Sequence, residues 1–201
     1  FPETVEKTAW LLKDAVKRQM QANTPVSTFL SGGIDSSLVT AICAKELKRQ
    51  GQQLDTFSFD FEGNRKYFKA NAFQPSQDRP WVEKMVQYAD TKHRYLECDN
   101  DDLVAYLYKA VDAADLPCMA DVEGSMLYFC EQTAKERKVV LTGEGADEIF
   151  GGYPWFYKEE SFAMRAFPWS FDMKPRQTLL ADTWIERLPM EEYAREAYEK
   201  T

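Results

Sequence analysis

The chain has 201 residues, 44% hydrophobic and 29% charged, with 25 Lys plus Arg against 33 Asp plus Glu for a net charge of −8. These values fit one globular domain with a sizeable core, and they exclude general disorder and a disulfide-stapled miniprotein. The acidic balance, without any dense basic run, argues against nucleic acid as a partner, and no apolar stretch nears the ~18 residues needed to cross a bilayer, so no membrane partner is expected. With no secretory signal at its start, the chain is expected in the cytoplasm. Cys43, Cys98, Cys118 and Cys130 form no CxxC pair and are expected as reduced, buried thiols.

Residues 3–22 place Val5, Ala9, Leu12, Val16 and Met20 at steps of three and four, which predicts an amphipathic helix ending before Asn23-Thr24-Pro25. Val26 to Leu30 is a short apolar strand entering Ser31-Gly32-Gly33, and a helix follows from about Ser36 to Gln50, closing at Gly51. Leu54 to Phe61 is a second strand, and Glu62 to Pro75, without a period, is expected as a mobile loop. Trp81 to Tyr88 reads as a helix and His93 to Cys98 as a third strand. Helices follow near Asp101 to Ala113, with acidic residues in the first turn, and from Glu123 to Lys135. Lys138 to Leu141 is a fourth strand, ending in Thr142-Gly143-Glu144-Gly145.

Strands alternating with helices predict an α/β fold, a parallel doubly wound sheet with helices on both faces, in which ligands bind beyond the carboxyl ends of the strands. Both glycine-rich turns lie there. The division expected is a principal domain over 1–153 and a partial helical C-terminal extension over 154–201, where the sequence turns aromatic and irregular.

Ser31-Gly32-Gly33-Ile34-Asp35-Ser36-Ser37 follows a strand and opens a helix. Its glycines allow close backbone approach, and the free N–H groups of the helix start can grip an anion such as pyrophosphate. No Gly-Lys-Ser/Thr follows, which argues against ordinary γ-phosphoryl transfer. The loop resembles the PP-loop of the ATP pyrophosphatases, the adenine nucleotide alpha hydrolase-like enzymes that split ATP into AMP and pyrophosphate. The resemblance implies that Ser31, Gly32, Gly33, Ser36 and Ser37 hold the pyrophosphate and that Asp35 helps to place Mg²⁺.

The run from Leu141 through Thr142-Gly143-Glu144-Gly145-Ala146-Asp147-Glu148 to Gly151-Gly152-Tyr153 resembles the signature of the asparagine synthetases almost position for position. Three carboxylates, Glu144, Asp147 and Glu148, beside a triphosphate call for a divalent cation, and Mg²⁺ is the oxygen-seeking ion that bridges phosphates. By resemblance Asp147 is the metal or pyrophosphate carboxylate, Thr142 and Gly143 contact the nucleotide, and Glu144 lies near the reacting carboxylate, where it would receive a proton as ammonia attacks. The family likeness also implies that Phe59 touches the adenine ring and that the backbone near Leu30 reads its edge, plain core packing being the even alternative for Phe59. Asp78 matches a family aspartate near the nucleotide, with an ordinary helix N-cap as the equal alternative. His93, the only histidine, is read as structural.

The implied reaction is ATP-dependent asparagine synthesis. Aspartate attacks the α-phosphorus, pyrophosphate leaves, and ammonia displaces AMP. ATP and Mg²⁺ are the cofactors expected, and aspartate and ammonia the other small-molecule partners. Residue 1 is Phe, so the family's cysteine-initiated glutaminase is expected from a full-length protein rather than from this chain. The family's Arg-x-Pro-Phe-x-Asp stretch and catalytic lysine are not found before Thr201, so a truncated piece with impaired adenylation is expected. The aromatic stretch at Trp155 and Phe156 raises the prospect of a homo-oligomer. The rivals are a β-lactam synthetase-like adenylating enzyme and a nucleotide-binding fragment that does not catalyse.

Overall fold

The structure is a computed structural model that describes residues 1–71, 74–117 and 119–201. The chain divides into two compact units, Phe1–Glu144 and Gly145–Thr201. The division falls inside the second glycine-rich motif, whereas the sequence changes character at Tyr153.

In the first unit, α1 (Pro2–Gln19) starts on a proline, whose missing N–H costs nothing in a first turn. It stops short of Met20, which takes the C-cap position. The strand β1 (Val26–Phe29) leads into α2 (Ile34–Arg49), and β2 (Asp55–Phe61) is followed by α3 (Asn64–Tyr67) and α4 (Arg79–Ala89). Then come β3 (Lys92–Cys98), α5 (Asn100–Ala114), α6 (Ala120–Ala134) and β4 (Val139–Leu141). Asp99 caps α5 by accepting from the Asp102 N–H at 2.7 Å. The short helix α3 stands inside the stretch expected as a mobile loop. Gly63, at φ +77, turns the chain into it, and the Asn64 side chain ties it back to Asp60 at 2.8 Å.

The four strands are all parallel in the order β3-β2-β1-β4, with Thr28 beside both Thr56 and Leu141. Steps from β1 to β2 to β3 run one way and the return to β4 runs the other. Right-handed crossovers therefore put α2 and α4 together on one face and the α5–α6 pair on the opposite one. This is the α/β doubly wound arrangement.

The strand β2 shows how sequence assigns the faces. Phe57, Phe59 and Phe61 alternate with Thr56, Ser58 and Asp60. The aromatic phase meets α6, where the Phe59 ring lies flat on Phe129 at 4.1 Å and Phe61 meets the same ring edge-on at 5.9 Å. The polar phase meets α2 and α4, and the buried hydroxyls on that face are satisfied side chain to side chain: Thr28 of the neighbouring β1 pairs with Thr40 of α2 at 2.9 Å and Thr56 with Thr91 at 3.1 Å.

Cys43, Ala44 and Leu54 form a buried cluster backed by Val16, Met20, Leu47 and Leu141. Burial pushes the Cys43 thiol up to about 12, which makes it a small hydrophobe rather than a nucleophile. Cys43 and Cys98 are buried and free as expected, but Cys130 is exposed. The buried stripe of α6 runs through Ser125, Phe129 and Thr133, and Cys130 lies one step around the helix from it. Cys118 lies outside the described residues. Among the described residues no helix is long and apolar enough to cross a membrane.

The second unit holds α7 (Ala146–Phe150), a 3₁₀ turn at Pro154–Phe156, α8 (Glu159–Ala163), α9 (Lys174–Gln177), α10 (Asp182–Ile185) and α11 (Met190–Glu199). Its packing is largely aromatic: Tyr153 stacks on Trp155 at 4.5 Å, Phe167 on Trp169 at 5.0 Å, and Tyr198 of α11 meets Phe167 edge-on.

Candidate functional site

The carboxyl ends of β1 and β4 are neighbours at the point where the strand order reverses, which is where open α/β sheets leave a crevice. The turn after β1 is built from hydroxyls and glycine. Ser36 is buried, and its Oγ accepts from the Ser31 N–H at 3.2 Å and sits 2.9 Å from the Ser31 Oγ. Gly32 holds φ +82 with its α-carbon pressed against α4, where a Cβ would come within 2.7 Å of the Trp81 Cβ and 2.9 Å of the Val82 N. Gly33 takes the N-cap position of α2 in extended geometry, and no side chain caps that end. The first-turn N–H groups, which have no intrahelical partner, thus face the crevice mouth with the positive end of a 16-residue helix behind them. Asp35 and Ser37 stand half-buried in that first turn.

The turn after β4 rests directly on the first. A Cβ on Gly143 would lie 2.8 Å from the Asp35 Cβ and 2.8 Å from the Ser36 N, so only glycine permits the approach. Thr142 and Glu144 are exposed beside it, the Thr142 Oγ1 accepting from the Glu144 N–H at 3.3 Å. The structure therefore brings Ser31, Gly32, Gly33, Asp35, Ser36 and Ser37 together with Thr142, Gly143 and Glu144.

Asp147 and Glu148 belong to the second unit, on α7. There the Asp147 carboxylate folds over Gly152, whose missing side chain leaves it room, and the Gly152 N–H donates to the Asp147 carbonyl at 3.0 Å. Tyr153 donates its hydroxyl to Glu148 at 2.7 Å, and that bond holds the Glu148 carboxyl below the usual range. Among the described residues no group of three or more His, Cys, Asp or Glu is gathered as a metal cage. Mg²⁺ commonly takes one or two carboxylates and fills the rest of its octahedron with phosphate oxygens and water, and the Asp35 carboxylate at the start of α2 is a donor of that kind.

Beyond Ser31, under the ends of β1, β2 and β3, lies a cavity of about 210 Å³. Leu30 and Ser31 line one side, Ser58, Phe59 and Asp60 the floor, and Asp78 and Arg79 the far rim. The Leu30 N–H donates to Phe57 at 2.8 Å and its carbonyl accepts from the Ser58 hydroxyl, so the backbone there is fixed and the carbonyl oxygen keeps one lone pair. The ring of Phe59 stacks on Phe129 between the layers, and Phe59 also lines the cavity. Asp78 stands at the N-cap position of α4 but does not cap it. It has helical backbone angles and no side-chain bond to the first turn, and its carboxylate accepts from Gln74 at 3.4 Å instead.

Asp60, Arg79 and Tyr95, which sequence reasoning passed over, line this cavity. Asp60 accepts from Arg79 Nη2 at 2.9 Å, Arg79 also reaches Glu97 at 2.9 Å, and its guanidinium lies 3.9 Å above the Tyr95 ring. The signal lay in the alternation Thr56, Ser58, Asp60, which places an acid at the last inward position of a strand, on the end where ligands bind.

Residues 7–201 match the family model described as asparagine synthase. The asparagine synthetase (glutamine-hydrolyzing) 3 of Bacillus subtilis is 46% identical over 202 residues, covering 100% of this chain and 33% of that protein. A putative asparagine synthetase (glutamine-hydrolyzing) 2 of Methanocaldococcus jannaschii is 35% identical over 150 residues, covering 74% of this chain and 26% of its own length. Among solved structures, a predicted subunit of tRNA methyltransferase from M. jannaschii superposes with a TM-score of 0.38 at 20% identity, over 78% of this chain and 73% of that one. The chain thus spans about a third or less of the length of these asparagine synthetases, and it belongs to the asparagine synthase family.

Proposed function

We propose that this chain is the synthetase portion of an asparagine synthetase, binding ATP across its two glycine turns and activating the side-chain carboxylate of aspartate as an AMP ester. The observation that carries the reading is the contact of Gly143 with the first turn of α2, which joins an uncapped helix start to the family's signature loop at the sheet's switch point. The nucleoside enters the cavity beside Leu30, and the phosphates extend over Ser31 to Ser37 toward Thr142 and Gly143. An aspartate carboxylate oxygen attacks the α-phosphorus, the bond from that phosphorus to the bridging oxygen breaks, and pyrophosphate departs toward the α2 N–H groups. Ammonia then attacks the acyl carbon, AMP leaves with the ester oxygen, and Glu144 takes up a proton. Most of the acceleration comes from positioning and from fixed N–H dipoles aimed at the departing charge.

Asp35 would help to hold Mg²⁺, which when bound neutralises phosphate charge, and the family likeness assigns Asp147 the same role. The curated relatives are named as glutamine-hydrolysing, and the ammonia is accordingly supplied by a glutaminase portion of the full-length protein. The setting proposed is the cytoplasm, without nucleic-acid or membrane partners, and with self-association through the Trp155 region.

The test is AMP and pyrophosphate formation from ATP, aspartate and ammonium with Mg²⁺, on this chain and on a form extended to the relatives' length. The expected outcome is ATP binding by both and aspartate-dependent AMP formation by the extended form. AMP that forms equally without aspartate, or ATP binding by neither, overturns the proposal.

A further inference from the structure

The connection from β2 to α4 leaves and returns at one carboxylate. Asp60 is 9% exposed and has four donors around it. Its Oδ1 accepts from the Phe61 N–H at 2.9 Å and from the Asn64 side chain at 2.8 Å. Its Oδ2 accepts from Arg79 Nε at 3.2 Å and Nη2 at 2.9 Å. Asn64 opens α3 and Arg79 opens α4, so both ends of the connection are fastened to the same side chain. The Arg79 end is held twice more, by Glu97 at 2.9 Å and by the face of Tyr95. Both ends are also walls of the 210 Å³ cavity, with Asn64 and Arg65 on the leaving side and Gln77, Asp78 and Arg79 on the returning side.

We infer that Asp60 is a positioning residue for the nucleoside end of the site, clasping Asn64 and Arg79 so that both walls of the cavity are fixed in place before the ligand arrives. The inference rests on the reading of this cavity as the nucleoside pocket. A paired carboxylate suits the task because an ionised group can accept from four donors at once, and charged hydrogen bonds are short and directional. An apolar side chain in its place would pack under the strand but fasten neither wall. The phosphate turn is organised by Ser36 and Gly143 and meets α4 at Trp81 and Val82 through Gly32, but no hydrogen bond joins it to Asp60, so the clasp bears on the base end before the phosphates.

The experiment compares two probes on the full chain with Mg²⁺ present: ATP, which needs both cavity and turn, and inorganic tripolyphosphate, which needs only the turn. Calorimetry is run on wild type, Asp60→Asn and Asn64→Ala. Asp60→Asn keeps the shape but points an amide donor at the Arg79 guanidinium, and Asn64→Ala releases the other wall at a half-buried position on which little packing depends. The expected result is that both variants lose roughly tenfold or more in ATP affinity, the worth of a charge-assisted hydrogen bond, while tripolyphosphate affinity stays unchanged. Unchanged tripolyphosphate binding also reports that the variant is folded; should Asp60→Asn fail to fold, Asn64→Ala decides alone. Wild type that prefers ATP, with variants that keep the full preference, overturns the clasp and leaves the nucleoside pocket standing. Wild type that binds the two probes equally overturns the pocket reading itself, and the clasp with it.

Discussion

The amino end of β2 and the carboxyl ends of β1 and β4 spend their polar groups in opposite ways. At the amino ends, Asp55 opens β2 already committed: Arg137 donates to one of its oxygens and Arg94 lies 3.8 Å from the other, while Arg94 also pairs with Glu136. At the carboxyl ends of β1 and β4, unlike that of β2 where Asp60 pairs with Arg79, the groups are withheld from one another. Gly33 leaves α2 uncapped, Gly143 offers only backbone, and Glu144 is exposed. Charges neutralised within the chain hold a fold together but have nothing left for a ligand, whereas a turn of glycine and serine gives up local stability to keep its N–H groups available.

The strongest way to break this contrast is to put a side chain where the carboxyl end has none. Gly32→Ala forces a residue with a Cβ to hold φ +82 and drives that Cβ to 2.7 Å from the Trp81 Cβ and 2.9 Å from the Val82 backbone. Strain at the turn and overpacking against α4 together cost roughly 2–6 kcal/mol. Because the turn is the easiest element to move, the expected outcome is a displaced loop with ATP binding lost by calorimetry and a lower melting temperature. A variant that melts as wild type and still binds ATP would show that the approach to α4 is not needed.

The architecture was largely legible because its signals are periodic. Alternation in Thr56 to Phe61 assigns both faces of β2, and the order of strands and helices gives the parallel sheet. The two glycine turns were legible for another reason: glycine before a helix start is a local signature. Contacts between distant segments leave no such trace. Nothing in the sequence pairs Gly32 with Trp81 or Asp60 with Arg79, and α3 escaped because four residues are too few for a helical period to show. Phe59 shows the limit most plainly. An aromatic residue at the ligand end of a strand suits a base or a core equally in the sequence, and only the structure shows its ring stacked on Phe129, seventy residues on, at the floor of the cavity.

The amino end can be loosened by acid. His93, beside Thr56 near that end, accepts or donates at Nδ1 to the Thr56 hydroxyl at 2.9 Å, and its Nε2 is buried without a partner among the described residues. Burial, aided by the Arg79 charge, pulls its pKa down from 6.5 to about 4. Between those values the unfolded chain holds a proton that the folded chain refuses. Stability is therefore fully present above pH 6.5 and falls as pH drops toward 4. The loss is at most about 3 kcal/mol, since each pKa unit is worth ~1.4 kcal/mol. As the only histidine, it can be tested alone. Melting temperatures across that window should fall less steeply for His93→Gln than for wild type, and parallel slopes would assign the acid sensitivity to carboxylates instead.

The last test asks whether the two ends are separable. Asp55→Ala leaves Arg137 without its carboxylate and Arg94 with Glu136 alone, and Asp55 is only 12% exposed, so solvent cannot replace the lost contact fully. Losing a hydrogen bond to a charged group of this kind costs about 1.5–3 kcal/mol. The affected residues stand at the start of β2 and ahead of β4, a strand's length from Ser31 and Thr142, and they share no partner with the turns. Denaturant unfolding should show the loss, while ATP titrations on the folded protein return the wild-type affinity. Distant sites without shared partners are additive, so Asp55→Ala combined with Asn64→Ala should carry the sum of the two stability losses and the ATP defect of the second alone. If Asp55→Ala weakens ATP binding by itself, the ion cluster sets the height of β2 in the sheet and the carboxyl end inherits its geometry from the amino end.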